Sequence, residues 1–358
     1  MLALKLQTEQ MALFDFLTEV IRMLSMAPKQ NKKSLIMWQR PMNRVVITLI
    51  PLVAAAVYFF GWRTLVVLAV VNAAGFLSEF LFARVYKQQV TAAVFVTNFL
   101  FTLTLPPNIP LWIAVVGIAF GVIFGKMVFG GFGRNIFNPA LSGRAFIYVS
   151  FGVPLTSGWV EPINGVFGGF SSFQADALTR ATPLAMISSG EPVSLLELFL
   201  GNTAGSLGET SALLILICGM YLLIKKTASF RIVLGGVTVF VVFQLLFRLT
   251  GVAGAADPLR ALLSGGFLFG IMFMATDPIT ASQTTNQGRW IFGATVGMLT
   301  ALIRTFSVWP EGITFAILLA NMFAPLLDHL LKQAAGRAKS RKAQSQHGAK
   351  SSQGAQSP

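Results

Sequence analysis

Apolar runs about as long as a bilayer is thick recur through most of this chain, and they decide what it can fold into. An α-helix rises 1.5 Å per residue, so a membrane span needs about 20 mostly apolar residues. Such runs lie at roughly 44–62, 64–83, 90–105, 111–128 and 137–152, and again at 210–224, 231–249, 259–275, 289–308 and 312–331. Charged residues are 11% of the 358 and hydrophobic ones 54%, against about 25% charged in an ordinary soluble domain. That leaves too little polar surface to cover a globule in water, whereas lipid accepts an apolar exterior. The expected fold is an all-α membrane protein of about ten transmembrane helices. The runs at 137–152 and 210–224 are barely long enough and carry glycine, as broken or tilted helices do.

The basic residues set the expected orientation. With the N-terminus inside, 21 of the 27 lysines and arginines fall on the inner side, the bias that fixes topology. Only Arg63, Arg144, Arg180, Arg248, Arg260 and Arg304 fall outside or near outer helix ends. Both termini are then cytoplasmic and the long 153–208 segment is an outer loop. The +14 charge is spread in short clusters between apolar runs, which fits loops facing anionic lipid headgroups and argues against a nucleic-acid partner. The expected organisation is a cytoplasmic segment 1–40, a five-helix unit 41–152, the outer loop 153–208, a second five-helix unit 209–331 and a disordered basic cytoplasmic tail 332–358.

The chain gives little material for disulfide or metal chemistry. Its lone cysteine, Cys218, sits in an apolar run, and its histidines are His329 and His347. Neither a disulfide, a thiolate cluster nor a His-ligated metal site is expected. No cleavable signal peptide is expected either, because the short apolar stretch Met11–Leu17 is broken by Asp15 and followed by Glu19.

A faint internal repeat pairs the two halves. The third run ends Thr97-Asn98-Phe99-Leu100-Phe101-Thr102 and the eighth Gly270-Ile271-Met272-Phe273-Met274-Ala275; Asn138-Pro139 in the fifth has a counterpart in Asn321 and Pro325 of the tenth. Five spans is an odd number, so the halves would be inverted.

Three strings are candidates for chemistry. Thr182-Pro183 reads first as a helix start, with Thr182 as N-cap and Pro183 in the first turn; the same place holds a phosphate near free N–H groups. Gly130, Gly131 and Asn138-Pro139 read either as close helix packing or as backbone brought up to a cofactor, with a helix break freeing polar groups at membrane depth. Asp277, followed by Pro278, reads as a turn or cap, and Asp328 as an acid at or near membrane depth, where acids are costly and tend to be functional.

The segment Asp176-Ala177-Leu178-Thr179-Arg180-Ala181-Thr182 resembles the motif on which flavin transferases attach FMN through a phosphoester to the last threonine. Together with Leu105-Pro106-Pro107, Gly125-Lys126 through Leu141 and Ala275-Thr276-Asp277-Pro278, it resembles the NqrB/RnfD family over nearly all of 40–331. Members of that family are membrane subunits of the sodium-translocating NADH:quinone reductase and of the Rnf electron transport complex. The resemblance implies covalent FMN on Thr182, with Asp176, Thr179, Arg180 and Ala181 around it. It also implies a non-covalent riboflavin in the bundle near Gly130, Gly131 and Asn138, and an ion path through Asp277 and Asp328. Other subunits of a membrane oxidoreductase, a flavin transferase and a quinone are the implied partners, and a bacterial inner membrane the implied place. No Rossmann-type nucleotide fingerprint is present, so NADH would be oxidised by a partner. Two departures stand out: Arg180 replaces the usual glycine, and Thr91, Ala92 and Ala93 stand where reductase members tend to carry an acid. The rivals are a cofactor-free channel or transporter with the same inverted frame, and a scaffold whose flavin site has decayed.

Overall fold

The computed structural model describes residues 35–163, 165–174, 181–252, 254–282, 285–307 and 312–354, with side chains as far as 337. Among these residues the chain is mostly helical. The main helices are α1 (Arg40–Phe60), α2 (Arg63–Val85), α3 (Ala93–Leu103), α4 (Leu111–Val122), α5 (Pro139–Ser150), α6 (Ala212–Ile224), α7 (Phe230–Leu249), α8 (Phe267–Phe269), α9 (Asn286–Phe306) and α10 (Ile313–Gly354). Two run on as wider π-helical turns, α4 over Ile123–Met127 and α8 over Gly270–Met274. Short helices at Gly152–Ser157, Pro183–Ser188, Leu195–Leu200 and Pro258–Leu263 fill the connections.

The chain is a multi-pass membrane protein. Helices α1, α2, α7 and α10 are long and apolar enough to cross a bilayer, and Ala93–Leu103, Leu111–Met127 and Ala212–Ile224 are shorter apolar helices. Large apolar side chains are exposed along them, such as Ile47, Leu77, Ile217 and Leu245, which lipid tolerates and water does not. The main core of buried apolar residues runs from Leu49 in α1 to Ala324 in α10, and a small second cluster joins Met42, Ala92 and Ala93.

Close backbone contact holds the interior. A side chain on Gly121 of α4 would strike the Pro139 carbonyl of α5, and one on Gly143 of α5 would strike the Gly117 carbonyl. The pair α7–α9 repeats this device, with Gly297 against the Gly236 carbonyl and Gly293 against that of Ile232. Small residues of this kind let membrane helices approach closely where no hydrophobic drive exists between them.

The connections meet at two ends. At one, β1 (Ile36–Met37) pairs in parallel with β2 (Val90–Thr91), and Arg44 donates to the Lys225 carbonyl; this is the basic end. At the other, the Leu207 and Gly208 N–H groups donate to the carbonyls of Leu105 and Leu103, and Arg63 donates to those of Pro107 and Ile109.

Three expectations need correction. The expected continuous run 259–275 is broken: Asp257 caps Pro258–Leu263, Ser264 is extended, and Gly265 at φ +62° turns the chain before α8. The all-α expectation misses the two-residue strand pair. The tail beyond Leu331, expected without structure, continues as helix to Gly354; the stretch 332–354 holds no proline and many Ala, Lys and Gln residues, which favour helix even with nothing to bury.

Candidate functional site

Two clefts lie at the two ends, with Ala181 and Thr182 at one and Asn138 and Asp277 at the other. The first is at the end bearing the 153–208 connection. It encloses about 840 Å³ counting its open mouth, with Tyr148, Trp159, Thr182, Glu209 and Ser264 in its lining. Thr182 is positioned by local chemistry. Its backbone is extended, Pro183 opens the following helix, and its hydroxyl accepts from the Ala185 N–H at 3.3 Å. The cap read from sequence is therefore present, and Thr182 lines the cleft. Ala181 is an exposed neighbour on the same rim. Asp176, Thr179 and Arg180 lie outside the described residues.

The opposite wall is pinned from below. Arg304 donates to the carbonyls of Ala261 (2.7 Å) and Ser264 (3.2 Å), and Arg260 donates to that of Val193. These charge-assisted bonds fix the broken segment ahead of α8 against the cleft. Glu209 accepts from the Ser206 N–H at 3.1 Å, closing the turn that brings Thr203–Thr210 to the same wall.

The second cleft, at the basic end, encloses about 650 Å³ on the same reckoning. Its lining includes Thr97, Lys126, Asn135, Asn138, Thr227 and Asp277, with Phe132 and Phe273 as aromatic walls. Both π-helical turns deliver lining residues, Lys126 from one and Phe273 from the other. Such turns shift the register of side chains and occur often at functional sites. Asn138 is 3% exposed and caps α5, its side chain accepting from the Ala140 N–H at 3.0 Å. The Thr227 hydroxyl is buried with no hydrogen-bond partner.

Gly130 and Gly131 do not line this cleft. Their φ values of 101° and 91° show a different reason for glycine: the chain turns there through a left-handed conformation that other residues avoid.

Behind the cleft wall is a buried ionic cluster that the sequence reading missed. Lys126 donates to Glu79 at 2.6 Å and to the Thr91 hydroxyl at 2.8 Å. Thr91 in turn donates to Glu79 through its hydroxyl (2.8 Å) and its backbone N–H (2.9 Å). The two charged side chains are 3% and 2% exposed. Glu79 of α2 thus places an acid directly against Thr91. Glu79 carried a signal, being an acid inside an apolar run, while Lys126 was counted among the cations that set topology.

Asp277 accepts from the Ile279 N–H (3.1 Å) and the Thr280 hydroxyl (3.0 Å), the turn read from sequence, and it lines the cleft. Asp328 does not line it. Its carboxylate accepts from Ser282 at 2.5 Å, so both acids are held by the one segment Asp277–Ser282.

The chain has known relatives. The profile of the NQR2, RnfD, RnfE family matches residues 25–336. The B-type subunit of the Na(+)-translocating NADH-quinone reductase of Ectopseudomonas mendocina is 43% identical over 296 residues, 79% of this chain and 69% of that protein. The corresponding protein of Azotobacter vinelandii is 44% identical over 290 residues, with the same shares. That of Klebsiella pneumoniae subsp. pneumoniae is 42% identical over 263 residues, 72% of this chain and 63% of that protein. The match therefore spans about two thirds of these relatives' length. The protein belongs to the NQR2, RnfD, RnfE family.

Proposed function

We propose that the protein is a membrane redox subunit of an ion-translocating NADH:quinone, or NADH:ferredoxin, oxidoreductase, carrying covalent FMN on Thr182. The observation that carries this reading is Thr182 on the wall of a cleft, at the end of the FMN-attachment-like motif, in a chain whose relatives are named as subunits of such an enzyme. The residues fit the group. Tyr148 and Trp159 offer aromatic faces, and the cap holds Thr182 at the cleft wall. A non-covalent riboflavin would be held in the basic-end cleft, where Phe132 and Phe273 would supply aromatic contact and Asn135 and Asn138 hydrogen bonds. The orphaned Thr227 hydroxyl is the kind of buried polar atom that a ligand would satisfy.

Flavins, when bound, supply one- and two-electron transfer, while the protein supplies position and charge. Here the chain sets Lys126 and Asp277 on the same wall. An electron arriving in that cleft and a cation arriving at Asp277 attract each other most where water is excluded. Asp277 and Asp328 are the residues of the ion path, with the Glu79–Lys126 pair behind it.

The frame is about ten spans in two inverted halves, α1–α5 and α6–α10, the eighth of them broken ahead of α8. Corresponding contacts support it: Gly75 of α2 faces Asn98 of α3, and Gly236 of α7 faces Ile271 of α8, the two positions that the internal repeat aligns. The basic end is cytoplasmic, both termini lie there, and the membrane is a bacterial inner membrane. The partners are the other subunits of the complex, a flavin transferase and a quinone.

The test is NADH-driven ion uptake by the reconstituted complex. Thr182→Ala is expected to stop electron flow and uptake together, whereas Asp277→Asn keeps its flavin and loses most of the uptake. A parent that takes up ions with no flavin bound would favour a cofactor-free channel instead.

A further inference from the structure

Asn321 lies in α10 and is 1% exposed. The two ends of an amide are told apart by their partners, and one orientation satisfies both here. Nδ2 then donates to the Thr280 carbonyl at 3.1 Å, and Oδ1 accepts from the Asn138 N–H at 3.3 Å. Asn138 is the N-cap of α5, and a cap's own N–H lies outside the intrahelical ladder.

Each partner leads to a different part of the basic-end cleft. Asn138 lines its wall. Thr280 donates through its hydroxyl to Asp277, which lines the wall as well. Seven residues beyond Asn321, two turns along the same helix face, Asp328 accepts from Ser282. Helix α10 therefore grips the Asp277–Ser282 segment at two points and the start of α5 at one.

We propose that Asn321 is a positioning residue for coupling: it ties the cofactor-side start of α5 to the ion-side segment Asp277–Ser282, so that the two share one hydrogen-bonded element. A displacement of Asn138 on a change of charge in the cleft then alters the support of Thr280, and through it the geometry at Asp277. The reverse holds as well, since coupling between two sites is reciprocal. This rests on the reading of the cleft and of Asp277 given above.

The test compares the reconstituted parent complex with Asn321→Leu, which keeps the shape and removes both hydrogen bonds. The readouts are bound flavin, NADH-driven electron transfer and ions moved per electron. The expected result is flavin content and electron transfer near the parent's, with ions per electron reduced at least about 3-fold, within the range that single residues contribute to coupling. Asn321→Gln, which keeps donor and acceptor, should recover part of the ratio. An unchanged ratio, or electron transfer and uptake falling in parallel, would overturn the proposal and leave Asn321 a packing residue. If Asn321→Leu does not assemble, Asn321→Ala, which leaves room for water, is read against the same outcomes. Asp277→Asn is measured beside them: if it keeps the full ratio, the ion-path reading itself fails and takes this proposal with it.

Discussion

Lys126 and Glu79 hold each other at 2.6 Å behind the wall of the basic-end cleft, with both side chains almost wholly buried. Thr182 announces itself as a cap because a small polar residue followed by proline specifies a helix start locally, and it is one, whereas Asn138, read from sequence as packing or a helix break, proves to be the cap of α5. Asp277 likewise closes its own turn. The Glu79–Lys126 pair spans 47 positions, so neither residue carries its partner in its surroundings. The pair yields a stability prediction. Lys126→Met leaves a buried carboxylate with the Thr91 contacts alone, and breaking a buried pair from one side costs about 3–5 kcal/mol. Replacing both, as Glu79→Gln with Lys126→Met, should cost clearly less than that single change. Thermal unfolding in detergent measures the difference. A double variant as unstable as Lys126→Met would mean that the lysine matters for its packing rather than its charge.

Helices were read well as elements and poorly at their breaks. Long apolar runs gave α1, α2 and α7 to within a few residues, because hydrophobic length is the dominant signal in lipid. The break at Ser264–Gly266 and the π-helical turns were hidden, since they depend on which neighbour each side chain must reach. Glycine roles were also split in ways that the string alone does not show. Gly121 and Gly297 serve contact, Gly130 and Gly131 serve conformation, and Gly152 has open space around it and an ordinary φ. Gly121→Val should therefore separate α4 from α5 and lower the melting temperature sharply, overpacking costing about 1–3 kcal/mol or more. Gly152→Ala should be neutral or stabilise by up to ~1 kcal/mol, through lost freedom of the unfolded chain. Melting curves of the two variants side by side check both; a tolerated Gly121→Val would contradict the backbone contact.

At the scale of the molecule, the balance of lysine and arginine gave two distinct ends, and the structure gathers the basic residues Arg44 and Lys225 at one of them. The charge reading already set Thr182 in the outer loop and Asn138 at the inner start of the fifth run, and the two residues line different clefts. With Cys218→Ser as background, cysteines placed at Lys226 and at Gly190 should react with an impermeant thiol reagent from opposite sides of the membrane. Labelling of both from one side would contradict the proposed frame. The central claim is that the cleft at the end away from the basic residues carries FMN on Thr182. Its most direct test is the intact mass of the purified protein, co-expressed with a flavin transferase, beside Thr182→Ala. The account predicts a parent heavier by one FMN less one water, with the addition mapped to the peptide containing Thr182, and no addition to the variant. A parent at its unmodified mass, or an addition that survives in Thr182→Ala, would contradict it.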